Sequence, residues 1–269
     1  MIPIQNSTHF SLLNSISTPE TLVKRAANLG YGSVGLTDYN SLSGAIEFAS
    51  ECKKNKVKPI IGTKLRVDNN QYLTLVSKNL NGWKTLVKII SDSHSPENHI
   101  AGKASLKSEK LKEYDLSNLL VILGDLESEL YNTCFALYGF CATSDNEAQI
   151  GISLDVIDKV KNYIFKYKEL FGDRTFVQIN FLNKNIPYQK TTSYILREVA
   201  EENDIKCIAG VNSHYTNKDN AEDLRLLMCS DQKTTFNNID LSNWKNSVFF
   251  RSKDFDIPTY AIKGEDNKT

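Results

Sequence analysis

Short apolar runs and amphipathic segments alternate along most of the chain. A capping threonine, a proline in the first turn and an apolar stripe predict a first helix from Thr18 to Leu29, which Gly30 ends. The apolar run 33–37 that follows predicts a buried strand ending at Asp38. The same alternation of strand and helix then continues to about residue 229.

The remaining elements follow from the same patterns. Strands are predicted at 58–62, 72–76, 118–123, 174–180 and 206–209. Helices are predicted at 42–52, 83–90, 154–170, 188–203 and 217–229. Residues 91–107 lack a clean period and are predicted to form a loop. Alternating strands and helices indicate a mostly parallel sheet with helical crossovers, either open or closed into a barrel.

Polar side chains gather at or just after the predicted strand ends. In folds of this class the functional pocket lies at the carboxyl ends of the strands. We therefore expect these side chains to converge on one rim. They are Gln5, Ser7, Asp38, Tyr39, Lys64, Asp125, Gln178, Asn180, Asn212 and His214.

Composition narrows the classes of function. The 269 residues carry 32 basic and 32 acidic side chains, so the chain has no overall attraction to a phosphate backbone and DNA contact is expected to be local or indirect. Five dispersed cysteines without a C-x-x-C pair argue against a disulfide framework or a zinc knuckle.

The sequence has neither a signal-like start nor an apolar run long enough for a membrane span. We expect a soluble, cytoplasmic protein without membrane contact.

Several short motifs follow one another in a specific order and spacing. They are SLL at 11–13, LVKRAA at 22–27, LTD at 36–38, GAIEF at 44–48, CKK at 52–54, KPIIG at 58–62, IP at 186–187, HY at 214–215 and LLMC at 226–229. With these motifs the chain resembles the polymerase and histidinol phosphatase (PHP) domain of bacterial family C replicative polymerases, the alpha subunit of DNA polymerase III. The resemblance implies an irregular (β/α)7-type barrel with parallel strands and outer helices. It assigns residues 1–252 to a PHP-like domain and 253–269 to an irregular C-terminal tail.

Active members of that family hold a metal cluster at the strand ends. The resemblance places most ligand positions on residues that bind metal poorly, namely Gln5, Ser7, Tyr39, Lys64, Leu182 and Asn212. Asp38 and His214 remain as family ligands, and Asp125 stands where the family has a cysteine. Glutamine, serine and asparagine are weak neutral donors, whereas a catalytic zinc needs about three strong protein ligands. We therefore expect no cofactor; the alternative is one weakly bound zinc or manganese ion.

The replacement of an acidic ligand by Lys64 also predicts a salt bridge. Without metal cations the carboxylate of Asp38 would need another positive charge, and the ammonium of Lys64 could supply it. At 4 Å and an effective dielectric constant near 20, such a pair attracts by ~4 kcal/mol before desolvation costs.

The resemblance implies a role in DNA replication as a catalytically inactive scaffold or docking module. The expected partner is a replicative polymerase or a proofreading exonuclease subunit. The parent family is a DNA-directed DNA polymerase, a nucleotidyltransferase, but whether this chain is an enzyme stays open. One alternative is a residual single-metal phosphoesterase or 3′-5′ exonuclease that uses Asp38, Asp125 and His214. Another is a free-standing binding protein that mimics the replicase domain.

Overall fold

The computed structural model describes residues 2–68, 71–125, 128, 130, 154–180, 189–210, 212–235 and 248–249. Its helices are α1 (Pro19–Asn28), α2 (Ala45–Lys54), α3 (Leu80–Ser93), α4 (Leu154–Phe171), α5 (Gln189–Glu202) and α6 (Ala221–Asp231). Its strands are β1 (Ser33–Tyr39), β2 (Lys58–Val67), β3 (Gln71–Ser77), β4 (Leu119–Leu123), β5 (Thr175–Asn180), β6 (Lys206–Gly210), β7 (Ser213–Tyr215) and β8 (Val248–Phe249).

Helix α1 forms where the sequence predicts it, and for the predicted reason. The hydroxyl of Thr18 accepts a hydrogen bond from the backbone N–H of Thr21 at 3.1 Å, and the Thr21 hydroxyl accepts one from the Thr18 N–H at 2.9 Å. This reciprocal capping satisfies N–H groups that have no partner within the helix. Pro19 occupies the first turn, where its missing N–H costs nothing.

Several predicted boundaries are wrong by three or more residues, including the starts of α2 at Ala45 and α6 at Ala221, which were predicted at 42 and 217. Helix α3 begins at Leu80 rather than at residue 83, because the side chain of Asn79 accepts a hydrogen bond from Gly82 N at 3.1 Å and caps the helix. Strand β2 continues to Val67 instead of ending at residue 62. As a result Lys64 lies inside the strand rather than beyond its end.

The main sheet has the strand order β1-β2-β3-β4-β5-β6. The pairs β1–β2, β4–β5 and β5–β6 are parallel, whereas β3 runs antiparallel to both of its neighbours. This parallel-dominated sheet curls into a half-barrel with helices, which confirms the predicted fold class. The antiparallel strand β3 is compatible with the predicted sheet, which was expected to be mostly parallel.

The N-terminal segment, residues 3–7, runs along the edge of β1 opposite to the edge that pairs with β2. Gly35 N donates to Pro3 O and Thr37 N donates to Asn6 O, both at 2.8 Å. On its opposite edge the segment exchanges hydrogen bonds with β7: Ser7 N donates to Ser213 O at 3.0 Å, and Ser213 N donates to the Gln5 carbonyl at 3.1 Å. The start of the chain and residues near 213 are therefore held side by side.

Two apolar clusters support this arrangement. The larger cluster lies between β2–β5 and the helices α3, α4 and α5, with Leu65, Leu75, Leu86, Tyr167 and Leu196 among its members. The smaller cluster joins α1, α2 and β1. Among the residues that the structure describes, no helix has the length and apolar character needed to cross a membrane. The proposed division at residue 252 stays a prediction, because 250–269 lie outside the described residues.

Candidate functional site

The structure brings most of the predicted rim residues to the mouth of the half-barrel, where they are buried. The buried members are Gln5, Ser7, Asp38, Lys64, Asp125, Gln178, Asn180, Asn212 and His214, and Tyr39 is half-buried. Leu182, the remaining family ligand position, lies outside the described residues. The mouth thus combines buried polar side chains from both halves of the sheet.

An ion pair lies in this mouth. Lys64 Nζ is 2.8 Å from Asp125 Oδ2, and both side chains are almost fully buried, at 1% and 2% exposure. The ammonium also donates a hydrogen bond to the Tyr39 hydroxyl at 3.0 Å and lies 4.6 Å from the centre of that ring. Because β1 and β2 are parallel with Tyr39 opposite Lys64, their backbones place the two side chains together.

The other carboxylate oxygen of Asp125 is also bound. Asn212 Nδ2 donates to Asp125 Oδ1 at 2.6 Å. Asp125 follows β4 and Asn212 precedes β7, so the carboxylate joins two segments that are 87 residues apart. The predicted salt bridge between Lys64 and Asp38 is wrong: the ammonium pairs with Asp125, and Asp38 is bound by Thr8 and Ser11.

Asp38 is satisfied by uncharged donors instead. Its Oδ1 accepts hydrogen bonds from Thr8 N and Ser11 Oγ, both at 2.6 Å, and its Oδ2 accepts one from Thr8 Oγ1 at 2.8 Å. Ser11 Oγ in turn accepts a hydrogen bond from Tyr39 N at 3.0 Å. The loop after the N-terminal segment therefore folds over the carboxylate, which explains why Asp38 needs no cation.

Burial has the largest effect on the pKa of Asp38. Desolvation raises its pKa above the ordinary value of 3.8, although the hydrogen bonds from Ser11 and Thr8 oppose the shift. The folded protein therefore keeps this proton to a higher pH than the unfolded chain does. Ionisation of Asp38 costs stability as the pH rises above 3.8, the reverse of a salt-bridged carboxylate.

The residues that hold Asp38 were missed by sequence reasoning. Thr8 and Ser11 lie in a short polar loop, and their types alone indicate a turn rather than a carboxylate site. The one available signal is their position directly after Gln5 and Ser7, two residues that were expected at the rim.

Ser11→Ala should lower the free energy of unfolding by about 2 kcal/mol, because it removes a donor to a buried carboxylate and the acceptor of Tyr39 N. It should also raise the Asp38 pKa further, because the Ser11 hydrogen bond lowers that pKa. Urea unfolding and NMR titration of the carboxyl measure the two effects. Ser91→Ala on the exposed face of α3 is the control, and equal unfolding midpoints for the two variants would contradict the expectation.

His214 is buried beside the ion pair. Its Nδ1 donates a hydrogen bond to the carbonyl of Asn14 at 2.8 Å, because a carbonyl can only accept. Its ring centre lies 6.1 Å from that of Tyr39. Burial, followed by the positive charge of Lys64, lowers the pKa of His214 from 6.5 to about 4. The imidazole is therefore neutral near pH 7.

Amide side chains fill the rest of the mouth. Gln178 Nε2 donates to Asn180 Oδ1 and Asn180 Nδ2 donates to Gly124 O, both at 2.6 Å. Gln5 Nε2 donates to the Thr74 hydroxyl at 3.1 Å. These contacts tie β5 to the end of β4, and the N-terminal segment to β3. The amides act here as bridges between strands.

The side chains present do not fit the metal centre that the family resemblance implies. Asp38 is held by hydroxyl and backbone donors, and Asp125 by Lys64 and Asn212. His214 donates through Nδ1 to a carbonyl, an arrangement that also orients metal-binding histidines, but one imidazole is too few ligands for the family's metal centre. Within the described part of the chain, no group of three or more His, Cys, Asp or Glu side chains could hold a metal ion. An ammonium inside the mouth further opposes a second cation through like-charge repulsion.

Comparison with protein-family models finds a match to the PHP domain over residues 4–181. The DNA polymerase III subunit alpha of Aquifex aeolicus is 27% identical to this chain over 259 residues, which is 89% of the chain but 20% of that protein. The corresponding subunit of Helicobacter pylori is 26% identical over 252 residues, or 90% of the chain and 20% of that protein. The chain thus spans about a fifth of the length of these relatives.

Solved structures with a related arrangement include an amidohydrolase from Chromobacterium violaceum. The two chains share 10% sequence identity and superimpose with a TM-score of 0.45. The match covers 79% of this chain and 87% of the amidohydrolase.

Proposed function

Because this chain belongs to the PHP domain family, we propose that it serves DNA replication as a catalytically inactive, metal-free docking module. Its relatives in the alpha subunit of DNA polymerase III point to a replicative polymerase or a proofreading exonuclease subunit as the partner. A nucleic acid contact, if it forms, is local, because the chain as a whole has no net charge.

The observation that carries this proposal is that protein groups already engage both candidate carboxylate ligands. Asp38 accepts three hydrogen bonds, and Asp125 pairs with Lys64 and Asn212, so the Nε2 atom of His214 is left without a second strong ligand beside it. Hydrolysis of a phosphoester by this class of site needs a cation that activates water and offsets the developing charge. Side chains bound in this way support a structural role in place of that chemistry.

The first experiment measures partner binding. The purified chain, immobilised, is presented with the polymerase and proofreading exonuclease subunits separately, and binding is quantified against an uncoated surface. Saturable binding of either subunit is expected for the docking module. A mimic of the replicase domain would also bind such a subunit, whereas the absence of binding to both would overturn the docking function.

The second experiment tests for residual hydrolysis. Elemental analysis of protein purified without chelator should find less than stoichiometric metal, and a nuclease assay with manganese should show no activity. The Asp38→Ala/His214→Ala double variant is the control for the competing hypothesis. Stoichiometric zinc or manganese that is lost from the double variant, together with activity that disappears, would favour a single-metal phosphoesterase or exonuclease.

A further inference from the structure

The position of Lys64 within the mouth resembles that of a bound ion more than that of an ordinary surface lysine. Its side chain is 1% exposed, and it extends from β2 to Asp125 beyond β4 and to Tyr39 at the end of β1. Through Asp125 it is also linked to Asn212, which precedes β7. One positive charge thus connects four segments of the half-barrel.

We propose that the Lys64 ammonium is a built-in cation that replaces a metal ion in the barrel mouth, so that the ammonium and a divalent cation exclude one another. A metal ion would join strand ends by attracting their oxygen ligands. The ammonium does the same for Asp125 Oδ2 and the Tyr39 hydroxyl, but it is covalently attached. Neither dilution nor a chelator can remove it.

Polar groups next to Thr74 and Asp125, in the same mouth as the ammonium, are suited to a positive charge. The side-chain oxygens Gln5 Oε1 and Asn212 Oδ1 are buried and accept no hydrogen bond from the described residues. The Gln5 amide is bound to Thr74, which lies opposite Lys64 in the β2–β3 register, and the Asn212 amide is bound to Asp125. Such oxygen acceptors and the Tyr39 ring both favour a nearby cation over an anion.

Removing the ammonium should have two consequences. In Lys64→Met the Asp125 carboxylate is left buried without its counter-charge, and a fall of roughly 10 °C in Tm is expected for a chain of this size. The vacated position lies beside the Asp125 carboxylate and the neutral His214 ring, so manganese or zinc in large excess should bind there weakly and restore part of the lost Tm in a concentration-dependent way. The wild-type Tm should respond neither to these ions nor to excess EDTA.

The experiment compares Tm with and without metal for four proteins. They are the wild type, Lys64→Met, the Lys64→Met/Asp125→Asn double variant and Lys56→Met, an exposed lysine that serves as control. The double variant should be more stable than Lys64→Met and insensitive to metal, because it lacks the buried carboxylate as well. If Lys64→Met is insoluble, refolding with and without manganese gives the same comparison.

This inference rests on the metal-free part of the proposed function, yet the two can fail separately. A wild-type Tm that rises with manganese or falls with EDTA would overturn both the inference and the metal-free site. A Lys64→Met variant as stable as Lys56→Met, or one that ignores metal, would overturn the inference alone. A double variant no more stable than Lys64→Met would do the same. The docking function is decided independently by the binding of the polymerase and exonuclease subunits.

Discussion

Gly35→Ala is expected to lower the free energy of unfolding by about 3 kcal/mol, because an added methyl group has no room on β1. A Cβ at Gly35 would lie 2.1 Å from the carbonyl oxygen of Ile4 and 2.6 Å from its Cα. Both are backbone atoms, so a side-chain rotation cannot relieve the contact. The N-terminal segment would have to move away from β1.

That movement would disturb the mouth of the half-barrel as well as the sheet edge. The hydrogen bonds from Gly35 N to Pro3 O and from Asn6 Nδ2 to Gly35 O hold the segment in place. The same segment leads directly to Thr8, which supplies two of the three hydrogen bonds to Asp38. If the N-terminal segment moves away from Gly35, the hydrogen bonds from Thr8 to the Asp38 carboxylate should therefore weaken.

Urea unfolding followed by circular dichroism measures the effect of Gly35→Ala. Gly32→Ala is a matched control, because a Cβ at Gly32 meets nothing within 4 Å and that residue is exposed. The control should change the free energy of unfolding by less than about 1 kcal/mol. Equal unfolding midpoints for the two variants would mean that the N-terminal segment does not pack on β1 as described.

Acidification should destabilise the protein through His214. The folded protein holds this imidazole neutral down to a pKa of about 4, whereas the unfolded chain takes up the proton near 6.5. The contribution of neutral His214 to the free energy of unfolding is therefore fully present above pH 6.5 and is lost as the pH falls toward 4. At about 1.4 kcal/mol per pH unit for one proton, the loss reaches about 3 kcal/mol.

The contribution of His214 can be isolated by comparing variants across that pH range. His214→Gln should be less stable than the wild type at pH 7.5 but should lose less stability between pH 7 and 4.5. His99→Gln, at an exposed histidine, should follow the wild type. NMR titration of the imidazole gives a direct measurement, and a His214 resonance that titrates near pH 6.5 would show that the ring is not buried neutral.

Local signals in the sequence were sufficient for most of the elements. Helix α1 is specified by Thr18 and Pro19, and β1 by the apolar run 33–37, whose residues are nearly all buried in the structure. In contrast, β2 continues through Lys64 and Arg66, whose charges are typical of an exposed position although both are buried. Their charges concealed the strand, because a buried charge depends on a distant partner that no local pattern reveals.

The sequence by itself determined the order of strands and helices, the family resemblance and the gathering of polar residues at one rim. Only the tertiary structure decided which groups pair there. Lys64 has Asp38 and Asp125 as possible partners, and the curvature of the sheet brings its ammonium to Asp125, while Thr8 and Ser11 fold over Asp38. The physical reason is that hydrogen bonds and ion pairs act over about 3 Å, so their partners are chosen by the folded path of the backbone.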